Sequence, residues 1–501
     1  MPAILTYDIF NRLSDHLTKN MGLFFPIERQ AELERGLIAA KGEFGCKSLD
    51  ELSILLLENP FNKNQIEILS RYLTVGETYF FREKRIFEIL ERTVIPEIIA
   101  NKNMQEKHLR VWSAGCCTGE EPYSIAMVLN NMSEKLADWK VTILGTDINP
   151  AFLKKAGTGV YSEWSFRESP PFYKQKYFEK KKNNEYILSP HIREKVEFTY
   201  LNLVEDTYPS LLNNTNGINL IFCRNVMMYF DEKTRFQIIN KLYNSLVDGG
   251  YLIVSSTEIA QETFNKFKSI NFTDAIIFQK NSEVGSFDFI QLADIVNTTH
   301  LISYSFSNDL VPPVKVIFED THEDNYEQKE KPEEDIIDKV RHLYSAGKFH
   351  AAMDILLPLT NPGSITNDIE TVYMLLSKCN ANLGDLHNAK LWCSLAIEEN
   401  KLNAHSHFLY ATILMEEGLD AEAVTSLRRA LYADHNHILA LFSLGNLLRR
   451  IGKNNEAQKT FNNALNVLSS FAPDSVIPES EGMTAARLNE TIRSIISIEE
   501  K

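Results

Sequence analysis

Between Leu109 and Lys280, short apolar runs alternate with helical segments, and this alternation restricts the fold more than any other feature of the chain. Strands that alternate with helices form parallel, doubly wound sheets, because each helix returns the chain to the edge where the next strand begins. A last pair of runs, near 264–270 and 273–280, predicts an antiparallel hairpin at one edge. The five runs that read as buried strands are 109–114, 140–147, 196–203, 218–225 and 250–256.

The first 90 residues read instead as one helix after another. Their apolar residues recur at intervals of three and four, which is the period of an amphipathic helix. Pro60 and the pair Gly42 and Gly45 supply the breaks. We therefore predict an all-helical N-terminal domain. Its predicted helices are Tyr7–Asn20, Ile27–Lys41, Ser48–Glu58 and Asn62–Tyr72.

A repeat of 34 residues occupies the last third of the chain. Small residues let helices cross closely, so the pattern resembles the helix-turn-helix of the tetratricopeptide repeat. Since the consensus Trp and Pro are missing, an unrelated array of helical hairpins is the alternative. Gly347 and Ala352 predict an earlier copy, and Thr484–Ile498 predicts a closing helix. The residues that define the repeat are Gly384/Gly418/Gly452, Ala389/Ala423/Ala457 and Ala396/Ala430/Ala464.

These patterns divide the 501 residues into four parts. A helical domain over 1–90 precedes a Rossmann-like α/β domain over 91–285. An acidic linker over 286–335 leads to an all-α repeat array with a capping helix over 336–501. The linker is predicted because Glu319–Asp335 holds nine acids, two lysines and almost nothing apolar.

Composition excludes several classes of function. The chain has 52 Lys and Arg against 67 Asp and Glu, a formal charge of -15, so nucleic acid is a poor partner. Six scattered cysteines with no CxxC pair predict reduced thiols and no metal site. The charged N-terminus does not read as a signal peptide, and no apolar stretch approaches the ~18 residues of a membrane helix. We therefore expect a cytoplasmic protein without membrane insertion.

The predicted strands end in residues that suit a ligand, and in open parallel sheets ligands bind at the carboxyl ends of the strands. Gly115 and Gly119 form a turn after the first strand, and Glu120 and Glu121 then open a helix. Two carboxylates repel a diphosphate from a helix N-terminus and favour a cation such as S-adenosylmethionine. They also suit the helix dipole, so a purely structural role remains the alternative.

Three further strand ends carry polar groups. Asp147 ends the second run, where an acid accepts hydrogen bonds from ribose hydroxyls. Asn202 ends the third run and Cys223-Arg224-Asn225 the fourth, at positions suited to an adenine edge or a methionine carboxylate. A single Asp or Asn at such a position is often only a cap, but four strand ends together favour a nucleoside ligand.

Six stretches together resemble the CheR-type chemoreceptor glutamate methyltransferases, over about residues 13–280. The resemblance implies methyl transfer from S-adenosylmethionine to receptor glutamates, which yields a γ-methyl ester and S-adenosylhomocysteine. The stretches are TVGETYFFRE (74–83), RVWSAGCCTGEEPYSIAM (110–127), LGTDINPAFLKKAGTGVY (144–161), FTYLNL (198–203), LIFCRNVMMYF (220–230) and GGYLIVSS (249–256).

The resemblance also implies roles for individual residues. Arg82 and Tyr229 lie nearest the transferred methyl group and are the predicted catalytic residues. Gly76 stands where the family commonly has Asn, which removes one side-chain contact with the cofactor. The predicted cofactor-binding residues are Gly76, Thr78 and Arg82 from the N-terminal segment, Gly115, Glu121 at the methionine end, Asp147 at the ribose, Asn202 and Leu203 at the adenine, and Cys223 and Arg224 at the floor.

The expected partners are the cytoplasmic helices of chemoreceptors, as substrate, and an unidentified protein or peptide on the repeats. A basic face around Arg29, Arg35 and Lys41 suits acidic receptor helices. In the insertion after the second strand, Trp164 and Arg167 form either a docking surface or internal packing. Two other functions remain open at this point: a cofactor-binding adaptor without activity, and a methyltransferase that acts on another substrate.

Overall fold

The computed structural model describes residues 5–58, 61–100, 107–259, 263–272, 275–280, 333–361, 368–473, 475–480 and 483–499. Most of the predicted acidic linker, 286–332, lies outside these ranges. Within the described residues, no helix combines the length and the apolar character that crossing a membrane requires.

Four helices build the N-terminal domain, close to their predicted bounds. Leu13, Leu17, Leu33, Leu37 and Leu69 are fully buried between them, which explains the three-and-four spacing. A further helix runs without interruption from 84 to 100, so the predicted boundary at residue 90 falls inside it. The helices are α1 Tyr7–Met21, α2 Gln30–Ala40, α3 Leu49–Glu58, α4 Lys63–Leu73, and α5 Lys84–Ile89, joined through the π-helical turn Leu90–Val94 to α6 Ile95–Ala100.

A seven-stranded sheet forms the centre of the α/β domain, in the order β6-β2-β1-β7-β8-β10-β9. The first five strands of this order are parallel, and the last two are antiparallel, as the sequence predicts. The strands are β1 His108–Ala114, β2 Lys140–Asp147, β6 Val196–Tyr200, β7 Ile218–Phe222, β8 Leu246–Ile253, β9 Phe267–Phe272 and β10 Ala275–Lys280. The long helices between them are α7 Glu120–Asn131, α8 Pro150–Thr158 and α11 Glu232–Ser245.

The insertion after α8 forms a small antiparallel sheet in the order β3-β5-β4. Trp164 is 70% exposed, and the Arg167 guanidinium stacks 4.7 Å from its ring and 3.8 Å from the ring of Tyr79. This aromatic stack therefore lies at the surface. The elements of the insertion are β3 Val160–Ser162, α9 Pro171–Tyr177, β4 Phe178–Lys180, β5 Glu185–Leu188 and α10 Pro190–Arg193.

Antiparallel helical hairpins form the C-terminal array. The six alanines of the 34-residue pattern are fully buried where helices cross. Gly347, Gly384, Gly418 and Gly452 all have φ between 70° and 84°, a conformation that favours glycine, and so they end the first helix of each pair. The helices are α12 Glu333–Ser345, α13 Phe349–Leu356, α14 Ile369–Asn382, α15 Leu386–Glu399, α16 Ala404–Glu417, α17 Asp420–Ala433, α18 Ile438–Arg450, α19 Asn454–Leu468 and the capping helix α20 Ala485–Glu499.

The array packs against the amino ends of the sheet strands, opposite to the edge where parallel sheets bind ligands. Arg110 of β1 forms an ion pair with Glu416 of α16, and both side chains are only 6% exposed. Lys140, the first residue of β2, donates to the Glu416 carbonyl oxygen. Gly217, before β7, contacts Gly384 so closely that a Cβ there would lie 2.8 Å from the Gly384 Cα.

A second contact joins the array to the loop after β6. Arg487 of the capping helix forms a bidentate ion pair with Asp206, whose side chain is 9% exposed. The same carboxylate accepts the Asn202 backbone N–H at 2.7 Å. One carboxylate thus connects the last helix of the array with the start of this loop.

Candidate functional site

A cavity of about 350 Å³ lies at the carboxyl ends of the parallel strands. The N-terminal domain closes one side of it through Met21, Leu23 and the segment that follows α4. Among the predicted site residues, those that line it are Thr78, Arg82, Gly115, Glu121, Asp147, Asn202, Leu203, Arg224 and Tyr229.

Gly115 turns the chain sharply after β1. Its backbone N–H and that of Cys116 both donate to the Thr146 carbonyl oxygen, at 2.8 and 2.9 Å, so the turn is fixed to the neighbouring strand. The φ of 77° and the contact with Val226, 2.4 Å from a Cβ built on Gly115, exclude a side chain at this position. Burial raises the pKa of the Cys117 thiol to about 12, so it stays protonated and fills space.

Glu121 and Glu120 have different surroundings, although both open α7. Glu121 lines the cavity, accepts a hydrogen bond from the Ser113 hydroxyl at 2.8 Å and pairs with the Arg224 guanidinium at 3.1 Å. Glu120 points away and accepts from Thr118 and Ser165. The inference that both carboxylates face the ligand is therefore corrected: one does, and the other fastens the insertion.

Asp147 holds a buried carboxylate at the end of β2. The Cys117 N–H donates to Oδ2 at 2.9 Å and the Asn149 N–H donates to Oδ1 at 2.8 Å. Burial raises the pKa of Asp147 to about 6, although these backbone donors act in the opposite direction. The pKa of Glu121 is also raised, again by burial and against the effect of Arg224.

These raised pKa values predict a cofactor affinity that falls in acid. Below pH ~6 the Asp147 carboxyl is protonated in the free protein, and a proton must be released before it accepts two hydroxyl hydrogen bonds. Affinity should therefore fall by up to about tenfold per pH unit below 6 and stay level above 7. Calorimetry with S-adenosylhomocysteine between pH 5 and 8 measures this. An affinity that is constant from pH 5 to 7.5 would contradict the assignment.

Asn202 and Leu203 line the cavity after β6, but the Asn202 amide is already engaged. Its Nδ2 donates to the Asn20 carbonyl oxygen at 2.7 Å, and its Oδ1 accepts the Val204 N–H at 3.1 Å. The residue therefore joins the end of α1 to the cavity wall. In the described structure the Asn202 amide is thus used to shape the cavity wall.

Arg82 and Tyr229 lie on the N-terminal side of the cavity, both partly exposed. The Arg82 Nη1 donates to the Glu77 carbonyl oxygen at 3.0 Å. Burial raises the pKa of the Tyr229 hydroxyl, whereas the charges of Arg29 and Arg82 act to lower it. The charge of Arg82 therefore reaches the Tyr229 hydroxyl across the cavity.

Gly76 and Cys223 do not line the cavity, unlike the other predicted binding residues. Cys223 is fully buried, with its neighbours in the core beneath β7 and β8. Gly76 packs against Phe152 of α8, and a Cβ on it would lie 2.7 Å from the Phe152 ring. Phe152 itself lines the cavity, so an aromatic ring occupies the space beside Gly76.

This packing predicts a compensating pair. Gly76→Asn alone should weaken cofactor binding about tenfold, because the new side chain displaces the Phe152 ring, and overpacking of this kind typically costs ~1–3 kcal/mol. Adding Phe152→Ala to Gly76→Asn should restore part of the affinity. Calorimetric affinities of the two single variants and the double variant measure the coupling. Strictly additive effects would show that the two positions do not compete for space.

Sequence reasoning missed several residues of the site. Ile148 and Phe152 follow the second strand and line the cavity, and position after a strand end was the signal that could have found them. Glu258 accepts N–H groups from Asn225 at 2.8 Å and Ser255 at 3.1 Å. It thereby holds the loop that carries Tyr229, a role that no local pattern indicates.

Comparison with known proteins agrees with this geometry. Residues 76–276 match the family model described as CheR methyltransferase, SAM binding domain. The chain is 32% identical over 279 residues to a chemotaxis protein methyltransferase of Borreliella burgdorferi, covering 55% of this chain and 95% of that protein. The chain belongs to the CheR family of chemotaxis protein methyltransferases.

Other CheR proteins match over a similar length. Chemotaxis protein methyltransferase Cher2 of Pseudomonas putida is 30% identical over 274 residues, which cover 54% of this chain and 97% of that protein. A chemotaxis protein methyltransferase of Listeria innocua is 34% identical over 248 residues, covering 48% and 86%.

Solved structures resemble a part of the chain. A crystal structure of MamA protein covers 27% of this chain and 73% of that one, at 18% identity and a TM-score of 0.25. YrrB, described as a TPR protein with an unusual peptide-binding site, covers 26% of this chain and 66% of that one, at 16% identity and a TM-score of 0.23.

The cofactor of this CheR protein is S-adenosylmethionine, and the donor set of the cavity fits it. Glu121 supplies a carboxylate for a cation, and Asp147 supplies one for hydroxyl groups. A phosphate would need free N–H groups in the first turn of α7, but that turn carries two acids. Arg224 also lines the cavity, where its guanidinium pairs with Glu121 and Glu83 and so holds the Glu121 carboxylate in place. The chain is accordingly a methyltransferase that uses this cofactor.

Proposed function

We propose that this CheR protein methylates glutamate side chains of chemoreceptors and forms γ-methyl esters. The observation that carries the proposal is the pair Arg82 and Tyr229, a guanidinium and a phenol, beside a cavity that holds Glu121 and Asp147. A guanidinium suits an incoming carboxylate, and the buried carboxylates suit a cationic methyl donor.

The reaction makes few demands on acid–base groups. A glutamate has a pKa of ~4.3, so near neutral pH it is already an ionised nucleophile and needs no general base. Bound S-adenosylmethionine would supply an electrophilic methyl group on a sulfonium, with S-adenosylhomocysteine, a neutral thioether, as the leaving group. The protein's contribution is in-line positioning and exclusion of water, which can supply several kcal/mol of the barrier reduction.

Arg82 and Tyr229 divide this positioning between them. Arg82 orients the substrate carboxylate while its Nη1 stays bonded to the Glu77 carbonyl, which limits how tightly it pairs with the substrate. The Tyr229 backbone accepts the Phe24 N–H at 2.8 Å, so its ring is held between the two domains. Its hydroxyl fixes the approach to the methyl group.

Substitution of the two residues should separate their roles. Tyr229→Phe should lower kcat about tenfold with little change in cofactor affinity, since one hydrogen bond of ~1.4 kcal/mol in the transition state is lost. Arg82→Ala should lower both cofactor affinity and kcat, about tenfold or more. Arg85→Ala is the matched control, because Arg85 is exposed and pairs only with Glu88 in the described residues. A Tyr229→Phe enzyme with wild-type kcat would contradict the assigned role.

A groove beside the cavity supports a helical substrate. It shares Met228 and Phe230 with the cavity and is lined further by Phe24, Arg29 and Phe236. Arg29 is already paired with Glu32, so the basic face expected around Arg29, Arg35 and Lys41 is weaker than the sequence indicates. We propose that a receptor helix lies along this groove, with its glutamate directed at Arg82.

The decisive experiment uses tritiated S-adenosylmethionine with the full-length chain and candidate receptor cytoplasmic fragments. Methanol released by base from labelled glutamate supports the proposal, because γ-methyl esters are base-labile. Base-stable label would indicate a different acceptor group or substrate. Bound cofactor without transfer to any fragment would indicate a binding adaptor.

A further inference from the structure

Two histidines of the repeat array and one glutamate converge at a point far from the cofactor cavity. His405 lies in the first turn of α16, His437 precedes α18, and Glu479 lies between α19 and α20. The His405 Nδ1 is 3.2 Å from the His437 Nε2 and 2.9 Å from a Glu479 carboxylate oxygen. All three atoms lie within 4.8 Å of one another.

The two distances from the His405 Nδ1 are close to those between neighbouring ligands of a metal ion. Tetrahedral Zn²⁺ with bonds of ~2.0–2.1 Å holds neighbouring ligand atoms about 3.3 Å apart. Two imidazoles and a carboxylate are ligands that Zn²⁺ accepts readily. We propose that His405, His437 and Glu479 bind a divalent transition metal ion, Zn²⁺ in the first instance.

Protons alone cannot satisfy the cluster. The His437 Nδ1 accepts the Ala440 N–H at 3.2 Å, so its own proton lies on Nε2 and points at the His405 Nδ1. If the His405 Nδ1 accepts the His437 proton, it has no proton of its own to donate to Glu479. If the His405 Nδ1 carries a proton and donates it to Glu479, the N–H groups of the two histidines face each other. A cation at the centre removes the conflict at His405. The ion must outweigh the Ala440 hydrogen bond, because metal binding moves the His437 proton to Nδ1.

The cluster is open to solvent on the side of His405. Lys378 lies 3.9 Å from the other carboxylate oxygen of Glu479, Oε1, and so leaves Oε2 to the histidines. His437 is buried, whereas the His405 side chain is 46% exposed, which gives an ion access and leaves a fourth position for water. A backbone bridge between Val476 and Thr484 shapes the segment that carries Glu479.

Such an ion would join two successive repeats to the segment that precedes the capping helix. The sequence predicted no metal because it has no CxxC pair, and histidines 32 residues apart form no recognised ligand spacing. Only the stacking of repeats brings His405 and His437 together, so the cluster becomes visible in the folded chain alone.

The test is a titration of the untagged, chelator-stripped full-length protein with ZnCl₂, followed by calorimetry and by counting bound zinc per chain. We expect one Zn²⁺ per chain and an increase in Tm that EDTA reverses. Glu479→Gln and His437→Asn should each weaken binding at least tenfold. Asn is chosen at 437 because it retains an N-cap oxygen for Ala440 while it removes the Nε2 ligand.

His435→Ala is the control, since His435 is exposed, lies two residues from His437 and is outside the cluster. It should bind Zn²⁺ as the wild type does. Absence of stoichiometric zinc in the wild type would overturn the proposal. So would zinc affinity that is unchanged in both Glu479→Gln and His437→Asn while circular dichroism shows them folded.

Discussion

Replacement of Asp147 by Asn should weaken S-adenosylhomocysteine binding about a hundredfold. The carboxylate at the end of β2 is buried and lines the cavity, and it is the residue predicted to accept hydrogen bonds from two ribose hydroxyls. Hydrogen bonds to a charged acceptor contribute ~1.5 kcal/mol or more each, and two of them correspond to about a hundredfold in affinity. Calorimetry at pH 7.5 gives the affinity directly.

Asn is preferred to Ala because it has nearly the same size and keeps one oxygen, which serves one of the two N–H groups of Cys117 and Asn149 that shape the turn around the cavity. Asp138→Asn is the charge-matched control, since that side chain is 79% exposed and remote from the cavity. An Asp147→Asn variant that binds within twofold of the wild type would show that ribose contacts lie elsewhere. The variant should also lose the part of the acid-dependent fall in affinity that Asp147 causes.

Replacement of Arg110 by Met should destabilise the protein by about 3–5 kcal/mol. It removes one partner of a buried ion pair and leaves the Glu416 carboxylate uncompensated between the sheet and the array. Within the described residues, Arg110 also donates to the Asn214 carbonyl and the Asn216 side chain, so those acceptors lose a donor too. The measurement is the midpoint of the first urea transition, followed by protease susceptibility of the array.

The double variant Arg110→Met, Glu416→Met should recover most of the loss, because replacing a whole buried pair with apolar groups is often neutral. Arg428→Met is the control: it breaks an exposed pair with Glu456 and should cost less than about 1 kcal/mol. Equal effects of Arg110→Met and Arg428→Met would show that the array is not fastened through this pair. The same buried contact means that deletion of 336–501 would expose the face of the sheet that Arg110 and Glu416 now cover.

The sequence predicts those parts of the fold in which a residue type has the same structural role wherever it recurs. Alanines at 34-residue intervals are needed wherever helices cross, and acids at strand ends meet because parallel strands share a carboxyl edge. The approximate bounds of the helices and strands follow from the same periodic patterns.

Features that depend on a distant partner were not predictable in this way. The contact of Gly76 with Phe152 and the divergence of Glu120 from Glu121 depend on which surfaces the tertiary fold brings together. Apolar periodicity indicates that a residue is buried, but not against what. Arg110, a charge within the first buried strand, was a visible signal that something polar must cover that strand.

Asp206 gives the two halves of the chain a thermodynamic connection. Its carboxylate binds Arg487 of the capping helix and the backbone N–H of Asn202 in the cavity wall. If cofactor affinity depends on whether this ion pair is intact, a ligand of the array that binds differently in the two states changes cofactor affinity by some factor. By reciprocity, bound cofactor changes the affinity of that ligand by the same factor. The array and the cavity would then act as an allosteric pair, with Arg487→Ala as the substitution that uncouples them.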